Sequence, residues 1–385
     1  MRILWWQEPF WPRVGGMAIA AEGVLRCLRE GGDEIAVVTS HDSSQLPRRT
    51  DWNGISVRRF PFWQALNAAR IDEVMCLRRE IEALRLEFAP DVVHMSGLGP
   101  SALFHLESAR TGNVPLLVSL HSSNTLSGAA TALARQTLEH AHWVTACSRS
   151  LLNAACAAVP SIARRASVVY NGVDAPALAP APLPQEPRVL CLGDLAAHKG
   201  FDLAVRALPH LLRHFPTLRL VVGGAGPAQR ELARLAARAG VSGAVELTGR
   251  VPHVDVPRVM NAATLVAVPS RRESFPLVAL EAALMTRPVV AARIGGLPEI
   301  VAHGETGLLV EPESSAALAS AIGMLLADPA MADRLGRAAR RRVLREFGLQ
   351  QQVDAYRQLH RRVVETVRGA SSAASVGHEV DRVCE

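Results

Sequence analysis

The sequence predicts an α/β protein built of two doubly wound domains, and three observations carry that prediction. Strand-length runs of Val, Ile and Leu alternate with longer stretches of helical apolar spacing through both halves of the chain. Between the halves, residues 175–187 contain five prolines and four alanines, a composition that makes a semi-rigid connector and no core element. The 385 residues, 49% of them hydrophobic, suffice for two separate cores and are too balanced in composition for disorder. The expected division is a first domain over 1–174, the connector at 175–187, a second domain over 188–348, a helix over 349–370 and a mobile tail over 371–385.

Charge and cysteines narrow the class. The net charge of +6 is carried mostly by arginine and spread along the chain, and the cluster Arg340-Arg341-Arg342 reads as a solvated helix face. No aromatics interleave with basic residues, so nucleic acid is not an expected partner; a phosphate-bearing ligand, or weak peripheral contact with membrane head groups, is compatible with the balance. Cysteines 27, 76, 147, 156, 191 and 384 show no C-x-x-C and no zinc-type spacing, which suits a reducing cytoplasm. The apolar run at Ile3–Trp6 is too short for a signal peptide, and no stretch approaches the ~18 apolar residues of a spanning helix. The expectation is a cytoplasmic protein, at most peripheral at the inner face of a membrane.

Taken in order, Ile3–Trp6 reads as the first strand, and the loop after it ends at Gly15-Gly16 before a helix of Ala, Ile, Val and Leu. Glycines at a strand-to-helix turn let backbone approach a ligand, and they serve equally as a plain tight turn. Ile35–Thr39 and Ile55–Phe60 are the next strands, and Ile71–Phe88 has helical spacing. The pattern then alternates strictly. Asp91-Val-Val-His94 closes a strand before Gly97-Leu-Gly-Pro100, and Pro115–His121 is a buried-strand run ending in Ser122, Ser123 and Asn124. Ligands of open parallel sheets gather beyond strand C-termini, which makes His121 a candidate, although a lone histidine is more often a packing residue. Trp143–Cys147 is a further strand, Ser148 caps the helix after it, and Ser167–Tyr170 closes the half before the turn Asn171-Gly-Val-Asp174.

Val189–Leu192 opens the second sheet and runs into the loop Gly193–Gly200. Phe201–Leu212 fits a helix, and Leu218–Val222 a strand entering Gly223-Gly-Ala-Gly-Pro227. That loop lacks the third glycine of a dinucleotide fingerprint and no suitably placed acid follows, which argues against a nicotinamide dehydrogenase. Val245–Val251 is another strand. Thr264–Met285 reads as strand, loop and helix, breaking at Pro269-Ser270 and resuming at Pro276. Proline suits the first helical turn, so the amides of Leu277 and Val278 point back into the loop as an anion site. Glu273 lies in that loop and Glu281 on the helix among Leu, Val, Ala and Met; a carboxylate so placed needs a strong polar partner, and a ribose diol supplies two donors. The plain alternative is a solvated loop charge and a half-exposed helix residue. Ser314–Leu326, Met331–Phe347 and Gln350–Val367 complete the helices.

The spacing of Glu273 and Glu281, with Ser274-Phe275-Pro276 after the first and Ala282 after the second, resembles the E-x7-E signature of the family 4 retaining glycosyltransferases. Pro288-Val-Val-Ala-Ala, Gly295-Gly-Leu-Pro-Glu299 and Gly304-Glu-Thr-Gly307-Leu-Leu-Val310 follow in an order similar to that family's strand, glycine turn and helix start. Gly193–Gly200 resembles its G-R-L-x-x-x-K-G loop, with Lys199 in register and Asp194 where the pattern has Arg. The likeness is dense over residues 188–312 and thin before them.

The resemblance implies a GT-B architecture, two Rossmann-like domains facing across a cleft that holds the substrates, with the 349–370 helix crossing back onto the first, acceptor-side domain. It implies retaining transfer of a hexosyl unit from a nucleotide diphosphate sugar to an acceptor alcohol, in polysaccharide, glycolipid or small-molecule glycoside synthesis. By the same resemblance Lys199 and the Leu277 and Val278 amides meet the diphosphate, with Asp194 beside them. Glu273 and His121 meet the hexose, Glu281 the ribose, and Arg250 and Val251 the base. Phe275 and the Gly15-Gly16 pair complete the donor site; His121, Lys199 and Glu273 are the catalytic candidates, and Trp5, Trp6 and Trp11 are candidates for an acceptor wall, with packing the expected fate of at least two. The Asn171–Asp174 turn resembles the family's domain-crossing hinge. No D-x-D occurs, so no catalytic metal and no cofactor are expected. Asp194 motivates the rival reading, a non-catalytic sugar-nucleotide-binding partner subunit; in an active enzyme His198 and Arg271-Arg272 are the candidates to offset its charge.

Overall fold

The computed structural model describes residues 1–8, 10–12, 16–41, 46–68, 70–109, 113–122 and 131–380. The chain divides into two compact units, one of Met1–Tyr170 with Leu349–Glu385 and one of Asn171–Gly348.

In the first unit β1 (Arg2–Gln7), β2 (Glu34–Ser40), β3 (Arg49–Trp52), β4 (Ile55–Phe60), β5 (Val92–Ser96), β6 (Leu116–Leu120), β7 (Trp143–Ala146) and β8 (Ala166–Val168) form one sheet. Among the described residues its order is β3-β4-β2-β1-β5-β6-β7-β8, parallel except for β3 against β4. The helices α1 (Gly16–Glu30), α2 (Phe62–Ala68), α3 (Ile71–Phe88), α4 (Ala102–Ala109), α5 (Thr131–His140) and α6 (Arg149–Ala158) connect the strands. Central strands covered on both faces read as unbroken apolar runs, and β1 is buried from Ile3 to Gln7. The packing expected of at least two tryptophans is seen: Trp5 and Trp6 are each 1% exposed and spend their indole N–H groups on Gln7 Oε1 and Ser101 Oγ.

The edge strand β3 is absent from the sequence reading. It pairs with β4 through a two-residue turn at Asn53 and Gly54, both at positive φ (51° and 76°), and Gly54 N donates to Asp51 Oδ1 at 2.7 Å. Asn-Gly between two strands is the sequence signature of such a hairpin, and it was there to be read.

The second unit holds β9 (Arg188–Leu192), β10 (Arg219–Gly223), β11 (Val245–Gly249), β12 (Leu265–Val268), β13 (Val289–Ala292) and β14 (Gly307–Val310). They form a parallel sheet in the order β11-β10-β9-β12-β13-β14. Around them lie α7 (Phe201–Leu212), α8 (Gln229–Arg238), α9 (Val256–Asn261), α10 (Leu277–Leu284), α11 (Leu297–Ile300), α12 (Ser315–Ala327) and α13 (Pro329–Glu346). The strand order runs outward in opposite directions from β9 and β12, so the topological switch point lies between those two strands.

Residues 175–187 belong to this unit rather than standing apart from it. Asn261 donates to Ala179 O and accepts from Ala181 N, and Arg287, with no exposed surface, donates to the carbonyls of Ala181 and Pro182. A proline-rich stretch has many carbonyls free of sheet partners, and here two side chains take them up. The Asn171–Asp174 turn is likewise tied in, Val173 N donating to Phe347 O at 3.0 Å. The arginine cluster also departs from the solvated face expected of it. Arg340 donates to Leu284 O at the end of α10 and Arg342 to Glu299 O, both half-buried, leaving Arg341 exposed.

The final helix, α14 (Leu349–Val380), returns to the first unit, where Leu349, Val353, Tyr356, Val363 and Val364 join the core around Ile3, Trp5 and Val37. Its backbone continues past 370, where the sequence reading ends it, through an Ala- and Ser-containing run without proline. No single helix among the described residues is long and apolar enough to cross a membrane.

Candidate functional site

The loops after β9, β12 and β13 leave the sheet side by side next to the switch point of the second unit, and two glycines let them close on one another. Gly200 (φ 66°) has no room for a Cβ beside the Pro269 carbonyl, and Gly295 (φ 52°) none beside the Glu273 carbonyl. Both sit in the left-handed region that glycine adopts without strain. The result is a bond between the loops, Lys199 Nζ to Glu273 Oε2 at 2.8 Å. Ser270 Oγ donates to the same oxygen at 3.2 Å. Lys199 therefore has two ammonium protons left to offer, and Glu273 keeps Oε1 as an acceptor.

Arg271 locks this arrangement from two residues away. It donates Nη1 and Nη2 to the two carboxylate oxygens of Asp202 in the first turn of α7 (2.7 and 2.9 Å), Nε to Glu313 (2.6 Å) and Nη1 to Ala197 O (2.7 Å). Its guanidinium holds the Asp202 carboxyl below the usual range, chiefly through that hydrogen bond. Arg271, a candidate to offset Asp194, is committed to Asp202 and Glu313 instead. The Asp194 carboxylate is exposed and takes no hydrogen bond or ion pair from a described residue. Lys199, in the same loop, pairs with Glu273 and not with Asp194.

Helix α10 begins at Leu277, with Pro276 just outside it at ψ 116°, so the amides of Leu277 and Val278 have no intrahelical acceptor. One turn further on, Glu281 lies mostly buried, and burial pushes its carboxyl up to about 7. Its one ionic neighbour among the described residues is His253, Nδ1 to Oε1 at 3.5 Å. His253 escaped the sequence reading; its place just beyond Arg250 and Val251 was the available signal. Arg250 is exposed and Val251 half-buried at the end of β11. The Phe275 ring is buried and packs on Phe347 at 5.7 Å, so toward a ligand it presents backbone.

In the first unit, His121 follows β6 and its Nε2 lies 3.3 Å from Ser96 Oγ at the end of β5. Gly16 opens α1, and Trp11 is exposed. Gly15, Ser123 and Asn124 lie outside the described residues. Among the described residues no three His, Cys, Asp or Glu side chains gather as metal ligands would.

Residues 179–342 match the family described as Glycosyl transferases group 1, and residues 14–175 match Glycosyltransferase Family 4. Glycogen synthase of Mycobacterium tuberculosis (strain CDC 1551 / Oshkosh) is 33% identical over 289 residues, 70% of this chain and 68% of that protein. D-inositol 3-phosphate glycosyltransferase 1 of Catenulispora acidiphila is 31% identical over 395 residues, 92% of each. Sucrose-phosphate synthase from Thermosynechococcus elongatus has a similar structure, with a TM-score of 0.81 at 23% identity over 95% of this chain and 99% of that one. Anabaena HepE in complex with UDP and glucose gives 0.78 at 22% identity, over 93% and 99%.

Proposed function

This chain belongs to the group 1, family 4 glycosyltransferases and has their GT-B fold of two Rossmann-like domains, and from that premise we propose that it moves a hexosyl unit from a nucleotide diphosphate sugar to an acceptor hydroxyl with retention of anomeric configuration. The observation that carries this reading is the Lys199–Glu273 bond across the switch point at 2.8 Å. As the bond from the anomeric carbon to the diphosphate breaks, negative charge grows on the leaving oxygen. The free ammonium protons of Lys199 and the Leu277 and Val278 amides are fixed donors for that charge, so they favour the transition state over the bound substrate. Glu273 is held by Lys199 and Ser270 on one oxygen and offers the other to hexose hydroxyls. No side-chain nucleophile is required: the acceptor oxygen bonds to the anomeric carbon on the face the diphosphate leaves, and its proton passes to the departing phosphate oxygen. Glu281 accepts from the ribose diol.

The test is a panel of UDP-, GDP- and ADP-hexoses with simple acceptor alcohols, read by release of nucleoside diphosphate and by NMR of the new anomeric centre. Anabaena HepE binds UDP and glucose, so UDP-hexoses come first. An inverted product would end the retaining assignment. Nucleotide that binds but is never released from any donor would favour the partner-subunit reading that Asp194 raises.

A further inference from the structure

Glu281 and His253 come from different elements, α10 and the short helical turn His253–Asp255 that follows β11. The acid is 17% exposed and the imidazole 52%, so a mostly buried carboxyl faces a ring open to solvent. No described residue donates a hydrogen bond to that carboxyl, and no other basic group forms an ion pair with it. Charged groups on the elements packed against α10 are engaged elsewhere or stand apart. Arg340 and Arg342 on α13 bind Leu284 O and Glu299 O, and Arg337 binds Asp333. In the preceding loop Glu273 is held by Lys199, Arg258 on α9 forms no ion pair with Glu281, and the nearby acids Asp255 and Glu299 carry the same charge as Glu281.

We propose that His253 is a positioning residue for nucleotide recognition: it holds Glu281 as a carboxylate, oriented to accept from the ribose diol, and thereby sets the pH below which donor binding weakens. This rests on the reading of the second unit as the nucleotide-sugar site. A diol that donates twice needs both carboxylate oxygens as acceptors, and a protonated carboxyl puts a hydrogen where one of the diol's must go. Burial alone brings Glu281 to about 7, so its accepting form is lost within the neutral range. An imidazolium beside it stabilises the carboxylate, and a neutral ring still offers Nδ1–H in one tautomer. Falling pH protonates Glu281, and His253 is the one described basic group placed to oppose that.

The experiment is calorimetric titration with UDP and with 2′,3′-dideoxyuridine diphosphate from about pH 8 to about pH 6, GDP and ADP being run alongside. The dideoxy ligand carries the same titrating phosphate without the diol, so the ratio of the two affinities isolates the Glu281 contribution. In the unaltered protein the advantage of UDP should shrink as pH falls. His253→Ala should move that loss upward by about half a pH unit or more and weaken UDP roughly fivefold at neutrality. His253→Gln, which keeps a donor without a charge, should recover affinity at neutrality and still lose the protection at lower pH. An affinity ratio identical in the unaltered protein and His253→Ala at every pH, with UDP bound normally, overturns the inference and leaves the donor-site reading standing. Failure of the unaltered protein to bind any of the three nucleotides overturns both.

Discussion

An ammonium differs from a guanidinium in being a compact point charge with three rotatable donors, and that difference matters at Lys199: among 42 lysines and arginines it is the only lysine. Lys199→Arg keeps the charge but not the geometry with Glu273, and it should lower kcat by about a hundredfold, ~3 kcal/mol, with the thermal midpoint unchanged. Glu281→Ala should weaken nucleotide binding by roughly 2 kcal/mol, the scale of hydrogen bonds to a charged group; full affinity by calorimetry in the folded variant would remove the ribose assignment. Asp194 adds negative charge to the loop proposed to hold the diphosphate, and its exposed carboxylate has His198 and solvent to offset it. Asp194→Arg should raise kcat/KM by up to about tenfold, less than unscreened Coulomb attraction would give. No change would mean that position 194 does not face the diphosphate, and a large loss that Asp194 belongs to a rebuilt network. At this scale the sequence located Lys199 and Glu273 in the loops and Glu281 on the helix that carry them, because each stands at a break in the apolar pattern or as a lone acid within it. It gave Arg271 the wrong partner and was silent on His253, because the partners of both lie tens of residues away.

Apolar periodicity marked most strands and helices because burial on both sheet faces or along one helix stripe leaves a repeating trace. What it missed has local causes: β3 is short and polar at an edge, and the 175–187 stretch looked like a free connector because the side chains that bind it, Asn261 and Arg287, come from elsewhere in the chain. That α14 returns to the first unit was expected from the family resemblance, and periodicity alone did not show it. There His94 Nδ1 lies 2.9 Å from His360 Nε2, and His94 Nε2 lies 2.7 Å from Ser119 Oγ, all buried. Burial lowers both imidazoles, His360 to about 4 and His94 well below its usual value. A base whose folded value lies below its unfolded value of about 6.5 contributes stability that is complete above that pH and is lost as pH falls toward 4. His360 alone accounts for about 3 kcal/mol over that interval. Urea unfolding followed by tryptophan fluorescence should show this loss for the first unit, since all six tryptophans lie within residues 1–170. His360→Gln should flatten the dependence; an unchanged slope would mean that the pair is not buried neutral.

The whole molecule carries a net charge of +6. Contact with anionic vesicles, if it forms, should be electrostatic, each Arg at the surface contributing about 1 kcal/mol and screened by salt. Co-sedimentation that vanishes at molar salt fits this, and binding that persists there would require an apolar anchor. The return of α14 has a further consequence, for the order in which the protein is made. Domains emerging from a ribosome generally fold in the sequence in which they are synthesised. Here the first unit lacks part of its core until Leu349–Val364 have left the exit tunnel, whereas Asn171–Gly348 is contiguous and can close as soon as it emerges. The amino-terminal half is therefore translated first and finished last, and throughout translation of the second unit its apolar sheet face around Trp5 is left for a chaperone, or for nothing, to cover.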